Sequence, residues 1–350
     1  MSMNLYLTRP GRLSRKDNTL FFEIFNIEDE NLLVLEEETP IDDDNAIVKK
    51  HALPVESIDA VYVFSETRIN SKLLNFLAQM KIPVHFFNYY GYHSGTFMPN
   101  AEQLSGDLVV RQGLAFSENA SRTEICRSLI DAKAHNILSI LQYYKRRISG
   151  TEEAISKIEE LKSASAVAGS PDEIMGYEGM INRIYYDSWK IWMTEAEEFT
   201  RNYNPPDTPL NAIISFINSL LYTACVSEIY RTALYPGISF LHTPQTKRFS
   251  LALDLVEPFK PIMVDRLIFR LFDRKEITDK GFRAHSNGIL LTDDARKKIL
   301  QEWDALIRTT VQIPQLKRSV SYRQLIRLDC YKLVKHLLEK KEFKPYKVQY

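Results

Sequence analysis

The 350-residue sequence predicts an α+β protein: a small N-terminal β-sheet domain, residues 1–100, followed by a larger all-α helical domain, residues 101–350. Three observations carry this. The first hundred residues break into short β-branched or aromatic runs divided by polar turns. From about Ala101 the apolar residues recur at helical spacing. The later segments are long, and one opens with a clear capping signal.

Taken in order, "NLYLT", "TLFFEIF", "NLLVLEE", "AIVKKHAL", "AVYVFS" and "VHFFN" read as strands, with "DDDN" as a turn. "INSKLLNFLAQMK" interrupts them as a helix, with Asn70 or Ser71 as cap and Leu73, Leu74, Leu77 and Met80 as its apolar stripe. "NYYGYHSGTFMP" reads as a hairpin with glycines at its turn. Beyond it, "SRTEICRSLIDAKAHNILSILQYYKRR" is amphipathic. "SPDEIMGYEGMINRIYYDSWKIWMTEAEEF" opens with a capping box: Ser170 as cap, Pro171 at the first helical position, Glu173 reaching back. "PLNAIISFINSLLYTACVSEIYRTALY" is a third long helix. "SLALDLVEPFKPIMVDRLIFRLF", "TDDARKKILQEWDALIRTTV" and "RQLIRLDCYKLVKHLLEKK" complete the set.

Bulk properties exclude more than they assign. Lys+Arg and Asp+Glu both number 45, so no global charge points to a polyanion. Residues 1–60 nevertheless hold 13 acids against 6 bases, which leaves a net +7 on residues 61–350. That balance permits a nucleic-acid surface on the larger part. Three scattered cysteines, Cys126, Cys225 and Cys330, suggest neither zinc nor a disulfide framework, and a cytoplasmic location follows most simply. "MSMNLYLTRPGR" has no signal-peptide core. "LNAIISFINSLLYTACV" is polar-interrupted and short for a span, so a buried helix is expected and no membrane partner.

The chemistry is concentrated in "ISFLHTPQTKRFSLALDLVEPFKP". With a helix starting near Arg248, Asp254 and Glu257 at i, i+3 share a face. Pro258 cannot donate to the carbonyl of Asp254, so a kink is expected there. Two like charges beside a kink, flanked by apolar residues, point to a bound cation. Glu178, inside the apolar and aromatic "MGYEGMINRIYY", is a buried acid in need of a partner. Glu178, His242 and an acid at 254 or 257 form a mixed oxygen and nitrogen set that suits Mg²⁺ or Mn²⁺. Such an ion serves phosphodiester chemistry. Removing one of these like charges should relieve repulsion and leave the fold intact. Lys247, Arg248, Lys260, Arg266 and Arg270 are candidates to hold DNA phosphates, with "YYKRR" and "RKK" (296–298) as extensions.

"YEGMINRIYY", "PLNAIISFINSLLYTACVSEIYRTALYPGISFLHTP" and "RFSLALDLVEPFKPIMVDRLI" resemble, in order, the signature segments of the CRISPR-associated adaptation integrases, the family of the first Cas protein. The family's metal-binding glutamate falls on Glu178 and its histidine on His242. Its D-x-x-D/E acids fall on Asp254 and Glu257, the second being the usual direct ligand; "ALYP" and "GISFLH" depart from its pattern. The resemblance implies a metal-dependent endonuclease and integrase that inserts spacers into a CRISPR array by 3′-hydroxyl transesterification. It also implies double-stranded DNA as substrate (fragment and repeat). The expected assembly is a homodimer, with a small second Cas protein bridging two dimers. "VYVFS" or "NYYGY" would supply the exposed apolar patch for dimerisation. The alternatives are a non-catalytic nucleic-acid-binding scaffold and a metal-dependent nuclease without integrase activity.

Overall fold

A computed structural model describes residues 3–25, 47–99, 103–202, 205–244, 249–286, 288–313 and 316–349. The expected strand "NLLVLEE" and the "DDDN" turn lie outside them, as do Lys247 and Arg248. The chain divides into two compact units, Met1–Ala101 and Glu102–Tyr350.

The first unit holds eight strands among its described residues: β1 (Met3–Leu7), β2 (Gly11–Lys16), β3 (Thr19–Phe25), β4 (Ile47–Pro54), β5 (Ile58–Val63), β6 (Thr67–Arg68), β7 (Val84–Phe87) and β8 (His93–Phe97). They form two four-stranded sheets, β1-β5-β7-β8 and β4-β3-β2-β6. β1, β5 and β7 run parallel and β8 closes the edge antiparallel. Helix α1 (Ser71–Gln79) is capped by the Asn70 side chain, which accepts from the Leu73 amide. Leu73, Phe76 and Leu77 of α1 join Leu7, Leu13, Leu20, Phe22, Val61 and Val84 in one core fed by both sheets. "VYVFS" is therefore no exposed patch: Val61 to Phe64 are buried, because β5 sits between two strands. The turn between β7 and β8 does present Tyr89 and Tyr90, 55% and 40% exposed, with Gly91 at φ 81° where a side chain would be strained.

The second unit is mostly helical, with two short hairpins, β9 (Phe282–His285) with β10 (Gly288–Leu291) and β11 (Thr310–Ile313) with β12 (Arg318–Ser321). Its helices are α2 (Gly106–Ser117), α3 (Asn119–Lys145), α4 (Glu152–Ser165), α5 (Pro171–Ser188), α6 (Pro209–Tyr230), α7 (Ser250–Leu255), α8 (Arg266–Asp273), α9 (Asp293–Arg308) and α10 (Tyr322–Glu339). The start of α5 modifies the expected capping box. Ser170 does accept from the Glu173 amide, but Glu173 reaches one residue further, to the amide of Gly169 at 2.8 Å. Helix α6 is long and apolar enough to cross a membrane, yet 83% of its apolar window is buried in the protein. It is the central core helix of this unit.

Candidate active site

His242 lies on the loop after α6, and three elements hold that loop. Gln112 of α2 donates to the carbonyl of Tyr235 at 3.1 Å and accepts from its amide at 2.7 Å. Arg122 of α3 donates to the carbonyl of Phe240 at 2.5 Å. The third clasp is Asp254, wholly buried on α7. Its Oδ2 accepts from the amides of Phe240 (2.5 Å) and Leu241 (3.0 Å), and its Oδ1 from the His242 amide (2.9 Å). Oδ1 also meets Nδ1 of the His242 ring at 2.8 Å. A carboxylate only accepts there, so Nδ1 carries the proton and the Nε2 edge is left for a ligand. Burial works against a charged His242, but Asp254 and then Glu257 outweigh it and raise the imidazole above its ordinary pKa. Asp254 spends its acceptors on the loop; it positions the histidine.

The helix that carries Asp254 starts at Ser250 and stops at Leu255, so Glu257 lies on the turn that follows it and the two acids do not share a helical face as expected. The expected break at Pro258 is there. With no amide at position 258, the Asp254 carbonyl takes the amide of Glu257 instead, at 3.2 Å. Lys260–Asp265 then wind as a π-helix before α8 begins. Asn136 of α3 fixes the turn by donating to the Pro258 carbonyl at 2.7 Å. That turn aims Glu257 inward, 1% exposed, with its Oε1 4.0 Å from Nε2 of His242.

Glu178 of α5 is only part-buried, its side chain 13% exposed, rather than the buried acid expected, and a lysine joins it to Glu257. Lys133 of α3, 3% exposed, donates from Nζ to Glu178 Oε1 and to Glu257 Oε2, the latter at 2.6 Å. Glu178 also accepts from Asn182 at 2.6 Å, and Glu257 from Lys260 at 2.6 Å. Burial alone would raise the Glu257 carboxyl; the Lys133, Lys260 and His242 charges hold it well below the usual carboxylate range. Burial likewise disfavours the Lys133 cation, and Glu178 with Glu257 reverses the sign and raises it. The acids therefore face compensating cations rather than one another. Removing Glu178 or Glu257 does not relieve repulsion; it strips a buried ammonium of a partner, and some stability is lost.

As they stand, no three His, Cys, Asp or Glu side chains among the described residues cluster tightly enough to hold a metal ion. The Lys133 ammonium bridges Glu178 and Glu257, and His242 Nε2 stands 4.0 Å from Glu257. The donor chemistry fits a hard divalent ion: two carboxylates and one imidazole whose tautomer is fixed by a buried carboxylate. The basic candidates fare unequally. Lys260 is bound to Glu257 and Arg270 to Glu302 at 2.7 Å, whereas Arg266 is exposed. In "RKK", Arg296 is buried and Lys298 pairs with Glu276 and Glu302.

Asp265 adds a buried acid that sequence reasoning passed over. Burial pushes its carboxyl up to about 7, with the Lys133 charge opposing. The folded state thus keeps a proton that the unfolded chain releases near pH 4, so stability falls as pH rises from about 4 to 7. Asp265→Asn is expected to melt above the wild type at pH 8, by up to roughly 4 kcal/mol of stability, with the gain shrinking toward pH 4. Thermal melts across that range check it; a pH-independent difference would contradict it.

Residues 5–305 match the family described as CRISPR associated protein Cas1. The chain is 39% identical over 349 residues to a CRISPR-associated endonuclease Cas1 of Fusobacterium nucleatum subsp. nucleatum, spanning 99% of this chain and 97% of that protein. It is 41% identical over 343 residues to another from Moorella thermoacetica, covering 98% of each. A solved CAS1 protein from Thermotoga maritima matches with a TM-score of 0.82 at 32% identity, over 97% of this chain and 98% of that one. A casposase bound to integration product matches with a TM-score of 0.79 over 100% and 95%, but at 19% identity that likeness is one of fold.

Proposed function

Because the chain belongs to the Cas1 family of CRISPR-associated proteins, we propose that it is a divalent-metal-dependent DNA endonuclease and integrase that inserts spacers into a CRISPR array. One observation carries the site assignment. Glu178 and Glu257, far apart in the chain, are brought onto a single buried cation, with His242 Nε2 4.0 Å from Glu257. A structural ion pair needs neither the histidine nor its buried Asp254 clasp.

Glu178, His242 and Glu257 would hold one Mg²⁺ or Mn²⁺ ion. When bound, such an ion activates the attacking oxygen and stabilises the leaving one. The protein's own groups do the rest. Asp254 keeps Nδ1 of His242 protonated and its Nε2 edge facing Glu257. Lys260, about 30% exposed, offers a cation at the mouth beside Glu257, and Arg266 presents another on α8 to a DNA backbone. The reaction exchanges one phosphodiester for another. The fragment's 3′-hydroxyl gives up its proton as its oxygen bonds to phosphorus, and the repeat's 3′-oxygen leaves and takes a proton. We assign the active assembly to homodimers bridged by a small second Cas protein, and the exposed Tyr89–Tyr90 turn supports a contact role for the first unit.

The test is a joining assay with purified partner, a fragment with free 3′-hydroxyls and a supercoiled repeat plasmid. Joining is expected with Mg²⁺ or Mn²⁺ and lost with chelator. DNA binding should persist without metal and weaken with salt, since Lys and Arg carry it. Cleavage without joining would leave a nuclease that is not an integrase. DNA binding with neither activity would favour the scaffold reading.

A further inference from the structure

We propose that the Lys133 ammonium is the resident cation of the metal-free site, and that an arriving divalent ion has to displace it from the Glu178–Glu257 pair. This rests on the metal-site reading above and adds the group that sets the site's affinity.

α3 buries a stripe formed by Ile125, Cys126, Leu129, Ile130, Ala134, Ile137, Ile140 and Leu141, and Lys133 falls on it at the i+4 position from Leu129. A lysine on such a face is tolerated only if its charge is met. Here two carboxylates from two other elements meet it, one from α5 and one from the turn after α7. The ammonium is thus bound as a small cation is bound, by converging oxygens in an apolar setting.

Geometry makes lysine and metal competitors. Mg²⁺ needs oxygens at about 2.0–2.1 Å, closer than the 2.6 Å of the Lys133–Glu257 bond. The three ligand side chains do not converge while the ammonium bridges two of them. Closing them on an ion draws Glu178 and Glu257 into the space that Nζ fills. A second positive charge held in that gap would also be repelled strongly at low dielectric. Lys260 competes for Glu257 Oε1 as well, but it is about 30% exposed and can swing toward water. Lys133, buried, has no such route. Its displacement is the costly step, and the cost weakens metal binding.

The experiment measures Mn²⁺ affinity, by the resonance of free Mn²⁺, for the full-length wild type and for Lys133→Met and Lys133→Gln. Both variants are expected to bind Mn²⁺ at least tenfold more tightly. They should also melt lower than the wild type without metal and gain more from Mn²⁺, because the part-buried Glu178 then has no ammonium partner and the buried Glu257 keeps only that of Lys260. Folded variants that bind Mn²⁺ as the wild type does, or more weakly, would overturn the role of Lys133 while leaving the metal site standing. A wild type that binds no Mn²⁺ would overturn both. Should neither variant fold, wild-type protein with ¹⁵N-labelled lysine side chains decides. Saturating Mg²⁺ is expected to move the slowly exchanging buried ammonium signal; an unmoved signal overturns the proposal.

Discussion

Asp254→Asn is expected to cost the protein stability and activity together. The carboxylate accepts from three backbone amides and from Nδ1 of His242, all buried or partly so. Asparagine keeps one acceptor oxygen and turns an NH₂ toward donors, so at least two of these groups lose their partner. At about 1–3 kcal/mol for each orphaned donor, a loss on the order of 3–5 kcal/mol follows, or roughly 10 °C in melting temperature. Joining should fall about 10–100-fold even where the variant is folded, because the His242 tautomer is no longer fixed. Melting and joining measured on the same preparation check this. Activity lost with stability unchanged would mean that Asp254 is a ligand and not the clasp of the His242 loop.

Glu178→Gln is expected to give the larger catalytic loss with the smaller structural one. Glutamine keeps the shape and still accepts from Lys133 and Asn182, while the charge that a divalent ion requires is gone. If the ion supplies several kcal/mol of transition-state stabilisation, joining and cleavage should both drop on the order of 10³-fold or more. The melting temperature should fall only modestly, since Glu257 and its ion pairs remain. DNA binding in chelator should match the wild type. A well-folded Glu178→Gln protein that joins DNA at the unmutated rate would remove the metal site and bring back the scaffold reading.

What the sequence made legible follows the range of each signal. Period-two runs gave most strands, and Asn70, Ser170 and Pro258 marked a cap, a helix start and a break because those effects are local. β2 escaped because its inward positions are only Gly11 and Leu13, set among Arg12, Arg15 and Lys16. α2 was blurred by Val110 and Leu114, which are exposed. The four-residue strands of the two hairpins are too short to show a period. At the site, Glu178, His242, Asp254 and Glu257 stood out as acids and an imidazole in apolar company. Their division of labour did not, since only the backbone amides around His242 reveal what Asp254 does. Lys133 was missed for a plainer reason: its partners lie 45 and 124 residues away. The available clue was a lysine on the apolar stripe of α3, and it was as visible in the sequence as the acids were.

The site assignment is tested most directly by anomalous diffraction at the manganese edge from wild-type crystals grown with Mn²⁺. One strong peak is expected within bonding distance of Glu178, Nε2 of His242 and Glu257, with Asp254 still hydrogen-bonded to the His242 loop. A peak bonded to Asp254 instead, or no peak at this centre while the same protein joins DNA in Mn²⁺, would contradict the assignment.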